Sequence, residues 1–135
     1  MKKLLIPVLL LFILAGCGSS PTEGQSTGDP GGDSYTVITA EEAKELMDSS
    51  EVTLVDVRTP DEYAEVRIDG AILIPHNEIS ARAETELPNK DATIIVYCAS
   101  GVRAQQAAGI LVDLGYTHVS TMGGILSWPY DTVSG

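Results

Sequence analysis

The chain has 135 residues, of which 8 are Lys or Arg and 19 are Asp or Glu, and its formal net charge is −11 at pH 7. So acidic a chain is poorly suited to bind nucleic acid or to adhere electrostatically to anionic lipid, because both partners repel it. Its two histidines, His76 and His118, are too few and too scattered for a metal site. We therefore expect no metal, no other cofactor and no nucleic-acid partner.

The first residues have the layout of an export signal. Two lysines precede an apolar run over residues 4–14, which is shorter than the about 20 residues that a membrane-spanning helix needs. Small residues follow, as at the cleavage site of a secretory signal peptide. The sequence "LAGC" (residues 14–17) resembles the lipobox of bacterial lipoproteins, whose cysteine is lipidated and becomes the first residue of the mature chain. The resemblance implies a signal peptide over residues 1–16 and a lipidated Cys17; the alternative is an ordinary signal peptide that contains a cysteine.

Residues 17–34 predict a flexible tether behind that signal. After Cys17 the segment holds Gly, Ser, Pro, Thr, Gln and acidic residues but no apolar side chain. Nothing there can be buried to offset the entropy of ordering, so the segment is expected to stay flexible. We expect an extracytoplasmic protein, anchored to a bacterial membrane by the acyl chains on Cys17, with one folded domain over residues 35–135.

The domain alternates between short apolar runs and segments with helical spacing. Thr39 and Glu42 have the spacing of a capping box, Pro60 suits the first position of a helix, and Asn77 suits a helix cap. The first half of the domain is predicted to form, in chain order, a strand at 36–38, a helix from 39, a strand at 52–57, a helix at 59–66, a strand at 71–75 and a helix at 77–87.

The second half repeats this alternation more clearly. It predicts a strand over residues 93–97, a helix over 103–114 that Gly115 ends, a strand at 118–122 and a short helix within 123–128. Strands that alternate with helices are typical of an α/β domain with a mostly parallel sheet. Sites in such sheets gather at the carboxyl ends of the strands, and Cys98 lies directly behind one of them.

A loop of small residues connects that cysteine to the next helix. If the chain turns around one point here, successive backbone N–H groups converge into an anion-binding nest, which the N-terminus of the helix reinforces. Gly101 permits the positive φ angle that so tight a ring requires. Such surroundings favour a thiolate nucleophile, although a buried cysteine can also serve as a small apolar side chain. Arg103 can brace loop carbonyls or face a substrate anion, and the predicted substrate-binding residues of the loop are Ala99, Ser100, Gly101, Val102 and Arg103.

The size of the ring indicates which group it transfers. Four residues separate Cys98 from Arg103, one fewer than in protein tyrosine phosphatases. A ring of this size is small for a phosphoryl group and suits one extra sulfur atom, so phosphatase and arsenate reductase activities are disfavoured.

The domain resembles single-domain rhodanese-like proteins. The residues that carry the resemblance are "LVDVRTPDEY" (54–63), "IDGAILIP" (68–75), "VYCASGVRA" (96–104) and "GGILSW" (123–128), in this order along the chain. The resemblance implies a central five-stranded parallel sheet flanked by helices on both faces. It also implies that Cys98 is the catalytic residue, which carries a sulfane sulfur as a persulfide cradled by the loop amides.

The same resemblance implies the substrates and partners. Active members of the family take sulfur from a small anionic donor, such as thiosulfate or mercaptopyruvate, and pass it to cyanide, a small thiol or a protein thiol. We also expect the protein to be a monomer. Val66, Arg67 and Ile68 stand where members often have Gly-His-Ile. This difference makes Arg67 a candidate donor to the substrate, together with Arg58 and Arg103, while Asp56 is expected to fix the loop backbone.

Two other kinds of function remain open from the sequence. A rhodanese-like domain can act as a non-catalytic binding or regulatory module, although this chain retains the cysteine, the small loop residues and the arginine. Alternatively, Cys98 can form mixed disulfides in an extracytoplasmic thiol-redox protein. With Cys17 lipidated, no resolving cysteine is present in the chain, so that chemistry needs an external thiol.

Overall fold

The computed structural model describes residues 34–135 and shows one five-stranded sheet. All strand pairs are parallel, and the order across the sheet is β1-β5-β4-β2-β3. The predicted rhodanese-like α/β fold is confirmed. The strands are β1 (Thr36–Val37), β2 (Thr53–Asp56), β3 (Ile72–Leu73), β4 (Thr93–Cys98) and β5 (His118–Gly124).

Four α-helices connect consecutive strands. Helices α1 and α2 pack on one face of the sheet and α3 and α4 on the other, as the buried residues of α1, α3 and α4 and the partly buried Tyr63 of α2 show. A 3₁₀ turn over Ile125–Ser127 follows β5. The helices are α1 (Ala40–Ser49), α2 (Pro60–Glu65), α3 (Ile79–Glu86) and α4 (Val102–Asp113). None of the helices within residues 34–135 is both long enough and apolar enough to cross a membrane.

The core consists of two apolar layers, one on each side of the sheet. Alternate residues of β4 enter different layers: Ile94, Val96 and Cys98 contact α3 and α4, whereas Ile95 and Tyr97 contact α1 and α2. This alternation is the period of two that a strand imposes on its side chains. The sheet is therefore covered on both faces, and only the ends of its strands are open to substrates.

The structure corrects some of the predicted element ends. Asn77 is not the cap of α3, because Glu78 occupies that position and caps no backbone group with its side chain. Strand β5 runs on to Gly124, and the short helix predicted behind it is a single 3₁₀ turn. The predicted signal peptide, Cys17 and all but the last residue of the tether lie outside the described residues.

Candidate active site

The candidate site lies where β4 and β2 run side by side. The connection after β2 is α2 on one face of the sheet, and the connection after β4 is α4 on the opposite face. Such a switch point leaves a crevice at the carboxyl ends of two neighbouring parallel strands, where α/β proteins bind ligands. Cys98 ends β4 at this crevice, and the N-termini of α2 and α4 flank it.

The sulfur of Cys98 is buried and accepts a hydrogen bond from the loop. The residue is 1% exposed, and the N–H of Gly101 donates to Sγ over 2.9 Å. Gly101 has a φ angle of 116°, as the sequence predicts. Within residues 34–135 Cys98 forms no disulfide. Its sulfur is therefore part of the apolar core and also has a backbone donor aimed at it, which a purely structural cysteine does not need.

Helix α4 supplies further donors to the same loop. It begins at Val102, and the first N–H groups of a helix have no acceptor inside the helix. Gly101 is the N-cap and has no side chain with which to bind them. The N–H groups of Val102 and Arg103 are thus available to an anion at the loop, and the helix dipole favours negative charge there.

A pair of glycines at the end of β5 forms the floor of the loop. Gly124 pairs with Cys98 in the sheet, beyond a register shift in β4. A Cβ placed on Gly124 would lie 1.9 Å from the carbonyl oxygen of Ala99, and one placed on Gly101 would lie 3.1 Å from the Cα of Gly123. The N–H of Leu126 also donates to the Ala99 carbonyl over 3.2 Å. The Gly-Gly pair in the sequence signals this close approach, but the sequence alone did not assign it to the site.

Arg103 contacts a residue that the sequence did not single out. Its Nη1 and Nη2 donate to Oε1 and Oε2 of Glu62, over 2.8 and 3.0 Å. About a quarter of the Arg103 side chain and a third of the Glu62 side chain are exposed. The ion pair joins the start of α4 to the start of α2 across the crevice. Binding of Arg103 to a substrate, or to loop carbonyls, stays a prediction.

The carboxylate of Glu62 is itself held in place by a capping box. Thr59 caps α2, and both its N–H and its hydroxyl donate to Glu62, while the N–H of Glu62 donates back to the Thr59 hydroxyl. The hydrogen bonds from Arg103, followed by those from Thr59, lower the pKa of Glu62 to about 2. The bond to Glu62 in turn raises the pKa of Arg103, to which the nearby Cys98 and Asp56 contribute by their charges. Both groups are charged at any ordinary pH.

Arg58 lies beneath the crevice, bound to Asp56. The guanidinium is 3% exposed and lies 2.7 Å from an Asp56 oxygen, and its Nη2 also donates to the carbonyl of Val66. Asp56 accepts the Arg58 backbone N–H as well, over 2.9 Å. Burial alone would lower the pKa of Arg58, but the bonds to Asp56 and its charge raise it. Asp56 thus fixes the backbone directly after β2, and the contacts of Arg58 are those of a structural ion pair.

Arg67 is turned toward the C-terminal residues. Its guanidinium lies 4.7 Å from the ring centre of Tyr63 and donates to the carbonyl of Gly135 over 2.6 Å. Its backbone pairs with Val133. Among residues 34–135, neither Arg58 nor Arg67 forms a hydrogen bond or an ion pair with the Cys98 loop, although the Arg58 guanidinium lies 5.7 Å from the ring centre of Tyr97, the residue before Cys98. Their predicted role in binding substrate has no support from these contacts.

Known proteins resemble the chain throughout this domain. The family model of the "Rhodanese-like domain" matches residues 39–129. "Thiosulfate sulfurtransferase PspE" of Escherichia coli is 44% identical over 71 residues, which cover 53% of this chain and 68% of that protein. "Sulfurtransferase" of Allochromatium vinosum is 40% identical over 87 residues, covering 64% and 79% of the two chains.

Solved structures agree with this assignment. A structure described as "rhodanese with anions from E. coli" superimposes with a TM-score of 0.60 at 39% identity, covering 63% of this chain and all of the other. The named relatives support a sulfurtransferase role for a domain whose cysteine loop lies at the crevice between β4 and β2. The chain belongs to the family of proteins with a single rhodanese-like domain.

Proposed function

We propose that the protein is a sulfurtransferase that carries a sulfane sulfur as a persulfide on Cys98. The observation that carries the proposal is the hydrogen bond from the Gly101 N–H to Cys98 Sγ, at the N-terminus of α4. Donors fixed by the backbone stabilise a negative charge without having to reorganise when the reaction occurs. They are therefore suited to a thiolate before the transfer and to a persulfide anion after it.

The two steps of the reaction balance without another reactant. The Cys98 thiolate attacks the outer sulfur of a donor such as thiosulfate. A new S–S bond forms, the S–S bond of thiosulfate breaks, and sulfite leaves with the electron pair. An acceptor thiolate or cyanide then attacks the outer sulfur of the persulfide, so that the acceptor takes the sulfur atom and Cys98 is released as the thiolate.

The form of the loop supports sulfur as the transferred group. Gly101 stands so close to Gly123 that even one additional carbon would be in tight contact. The ring is held from below by the backbone of β5 and from the side by α4, so it has little freedom to widen. A single sulfur atom added to Sγ needs less room than a tetrahedral phosphoryl group.

We further propose that the protein is extracytoplasmic and is tethered to the membrane through Cys17. Its sulfur acceptor would be a small thiol, cyanide or a protein thiol.

The direct test is the mass of the protein after exposure to a donor. We expect full-length protein, purified in detergent and incubated with thiosulfate, to gain the mass of one sulfur atom, and to lose it again when cyanide or a small thiol is added. Cys98→Ser removes the sulfur carrier, so this variant should gain nothing.

Other outcomes would favour the other functions. A wild-type protein that gains no sulfur from thiosulfate or mercaptopyruvate would contradict the proposal and favour a binding module. Faster formation of a mixed disulfide with an oxidised thiol than of a persulfide would favour a redox protein. Hydrolysis of an aryl phosphate that is faster than sulfur transfer would reverse the choice between sulfur and phosphate.

A further inference from the structure

The positive charges of the domain are all engaged by its own groups. Within residues 34–135, five of the six Lys and Arg side chains form ion pairs: Lys44, Arg58, Arg82, Lys90 and Arg103. The sixth, Arg67, binds carbonyl oxygens and an aromatic ring. Within this part of the chain, Arg67 is thus the cation without a side-chain carboxylate partner, and its guanidinium is bound to Tyr63 and Gly135 and not to the Cys98 loop.

At the crevice itself, two ion pairs cancel in charge. Asp56 neutralises Arg58 beneath the loop, and Glu62 neutralises Arg103 beside it. What remains for a substrate is the Gly101 N–H at Sγ and the first N–H groups of α4. These dipoles suit one compact negative charge, such as that of a persulfide or a terminal sulfur. A second negative charge on the donor would lose its hydration on entry without meeting a compensating cation.

We propose, on the basis of the sulfurtransferase function, that Glu62 determines the specificity for the donor by cancelling the charge of Arg103. The site then favours donors that carry a single negative charge over dianionic donors such as thiosulfate. Glu62 does not touch the reacting sulfur; it acts through Arg103 and through its own negative charge at the edge of the crevice.

The hydrogen bonds of Glu62 keep it from moving aside when a donor arrives. Its Oε1 accepts from the Thr59 hydroxyl over 3.1 Å and from Arg103 Nη1 over 2.8 Å, and Oε2 accepts from Arg103 Nη2 over 3.0 Å. Both oxygens are thus occupied, and the capping box of α2 fixes the backbone beneath them. The carboxylate is thus held beside Arg103 by hydrogen bonds to both of its oxygens.

Two donors that differ by one charge test the proposal. Thiosulfate and methanethiosulfonate have the same sulfonyl-bound outer sulfur, but a methyl group replaces one O⁻ in the second. In both cases the Cys98 thiolate forms the new S–S bond, and sulfite or methanesulfinate leaves with the electron pair. The measurement is kcat/KM for each donor with full-length protein in detergent, with cyanide as the acceptor.

The variant Glu62→Gln removes the charge and keeps the shape. Glutamine can still complete a capping box and still accept a hydrogen bond from Arg103. We expect the ratio of kcat/KM for thiosulfate to kcat/KM for methanethiosulfonate to rise roughly fivefold, because one unit charge at the edge of a partly exposed site is worth about that much. The change should come mainly from a lower KM for thiosulfate and should shrink as salt is added.

Helix α1 provides a matched control. Thr39 and Glu42 form the same capping box there, and Glu42 touches no arginine. Glu42→Gln removes one negative charge from the chain, as Glu62→Gln does, so it should leave the donor ratio unchanged.

The possible results separate the two proposals. An unchanged ratio in Glu62→Gln, an equal rise in Glu42→Gln, or an equal loss for both donors would each overturn the specificity role; the last would show that Glu62 only positions Arg103. If wild-type Cys98 accepts sulfur from neither donor, the sulfurtransferase function itself fails, and this inference fails with it.

Discussion

Gly124 and Ala99 are in contact through their backbones, and no side chain can be placed between them. A Cβ on Gly124 would stand 1.9 Å from the Ala99 carbonyl oxygen and 2.6 Å from the Ser100 nitrogen. Gly124 has φ −152° and ψ 168°, an extended conformation that any residue adopts. Glycine is therefore required at position 124 because there is no room for a side chain, and not because of the backbone conformation. The end of β5 therefore determines the position of the cysteine loop, because the loop backbone packs directly against it.

Gly124→Ala should consequently displace the loop. Because its Cβ would collide with backbone and not with a flexible side chain, we expect the rate of persulfide formation to fall roughly a hundredfold, as small misplacements of reacting groups can do. Gly109→Ala is the control, since a Cβ there meets no atom within 4 Å. In the middle of α4 that change should raise the free energy of unfolding by about 0.5–1 kcal/mol and preserve activity. Normal persulfide formation in Gly124→Ala would show that the loop is not held from below.

Arg103→Lys should weaken sulfur transfer without abolishing it. Lysine keeps the positive charge but cannot bind both oxygens of Glu62 as the planar guanidinium does. We expect a loss of roughly tenfold to a hundredfold in the rate of persulfide formation. This is less than the roughly hundredfold to thousandfold effect of removing a preorganised donor outright, because lysine keeps the charge. The measurement is the time course of the mass increase, with circular dichroism to check folding. An unchanged rate would mean that Arg103 serves only to hold α4 against α2.

The Glu62–Arg103 pair should also make the free energy of unfolding depend on pH. The pKa of Glu62 is about 2 in the folded chain and 4.5 ordinarily, so the unfolded chain takes up the proton more readily. The stabilisation by the pair is complete above about pH 5 and is lost as the pH falls toward 2. Since the pair is partly exposed, it contributes about 0.5–1 kcal/mol.

Glu62→Gln carries no charge to titrate and provides the comparison for this pH dependence. The difference in the free energy of unfolding between wild type and Glu62→Gln should therefore shrink between pH 5 and pH 2, as measured by urea unfolding. A difference that stays constant over this range would contradict a charged pair.

The lipid anchor is tested separately from the domain. When the full chain is expressed in a bacterium, we expect the wild-type protein to partition into the detergent phase, because acyl chains on Cys17 would hold it there. Cys17→Ala should stay as an uncleaved precursor or be released. Mass spectrometry of the mature N-terminus provides the check, and a soluble wild-type protein without acyl groups would refute the assignment.

The local features of this fold could be read from the sequence because they depend on neighbouring residues. The capping box of Thr39 and Glu42, the first helical turn at Pro60 and the left-handed Gly101 each depend on a few adjacent positions. The alternation in β4 and the helical spacing in α4 are equally local. Together they predicted the order of the elements, the cysteine loop and the nest of backbone donors at Cys98.

Asn77 shows the limit of this local information. Its side chain suits a cap, but the chain turns one residue later and α3 begins at Ile79. The packing of Ile79 and Ala83 into the core decides where the helix starts, because burying these side chains is worth more than a single capping hydrogen bond.

The partner of Arg103 was decided by the tertiary structure alone. Glu62 and Arg103 are 41 positions apart in the chain and meet because the strand order places β2 beside β4, which brings the N-termini of α2 and α4 to one crevice. Arg58, by contrast, binds Asp56 only two positions away, whereas the fold brings Gly135 to Arg67 from 68 positions away. The chemistry of a side chain limits which groups it can bind, but the fold determines which of those groups lies within hydrogen-bond distance. The candidate nucleophile Cys98 was therefore evident from the sequence, and the charge balance around it required the fold.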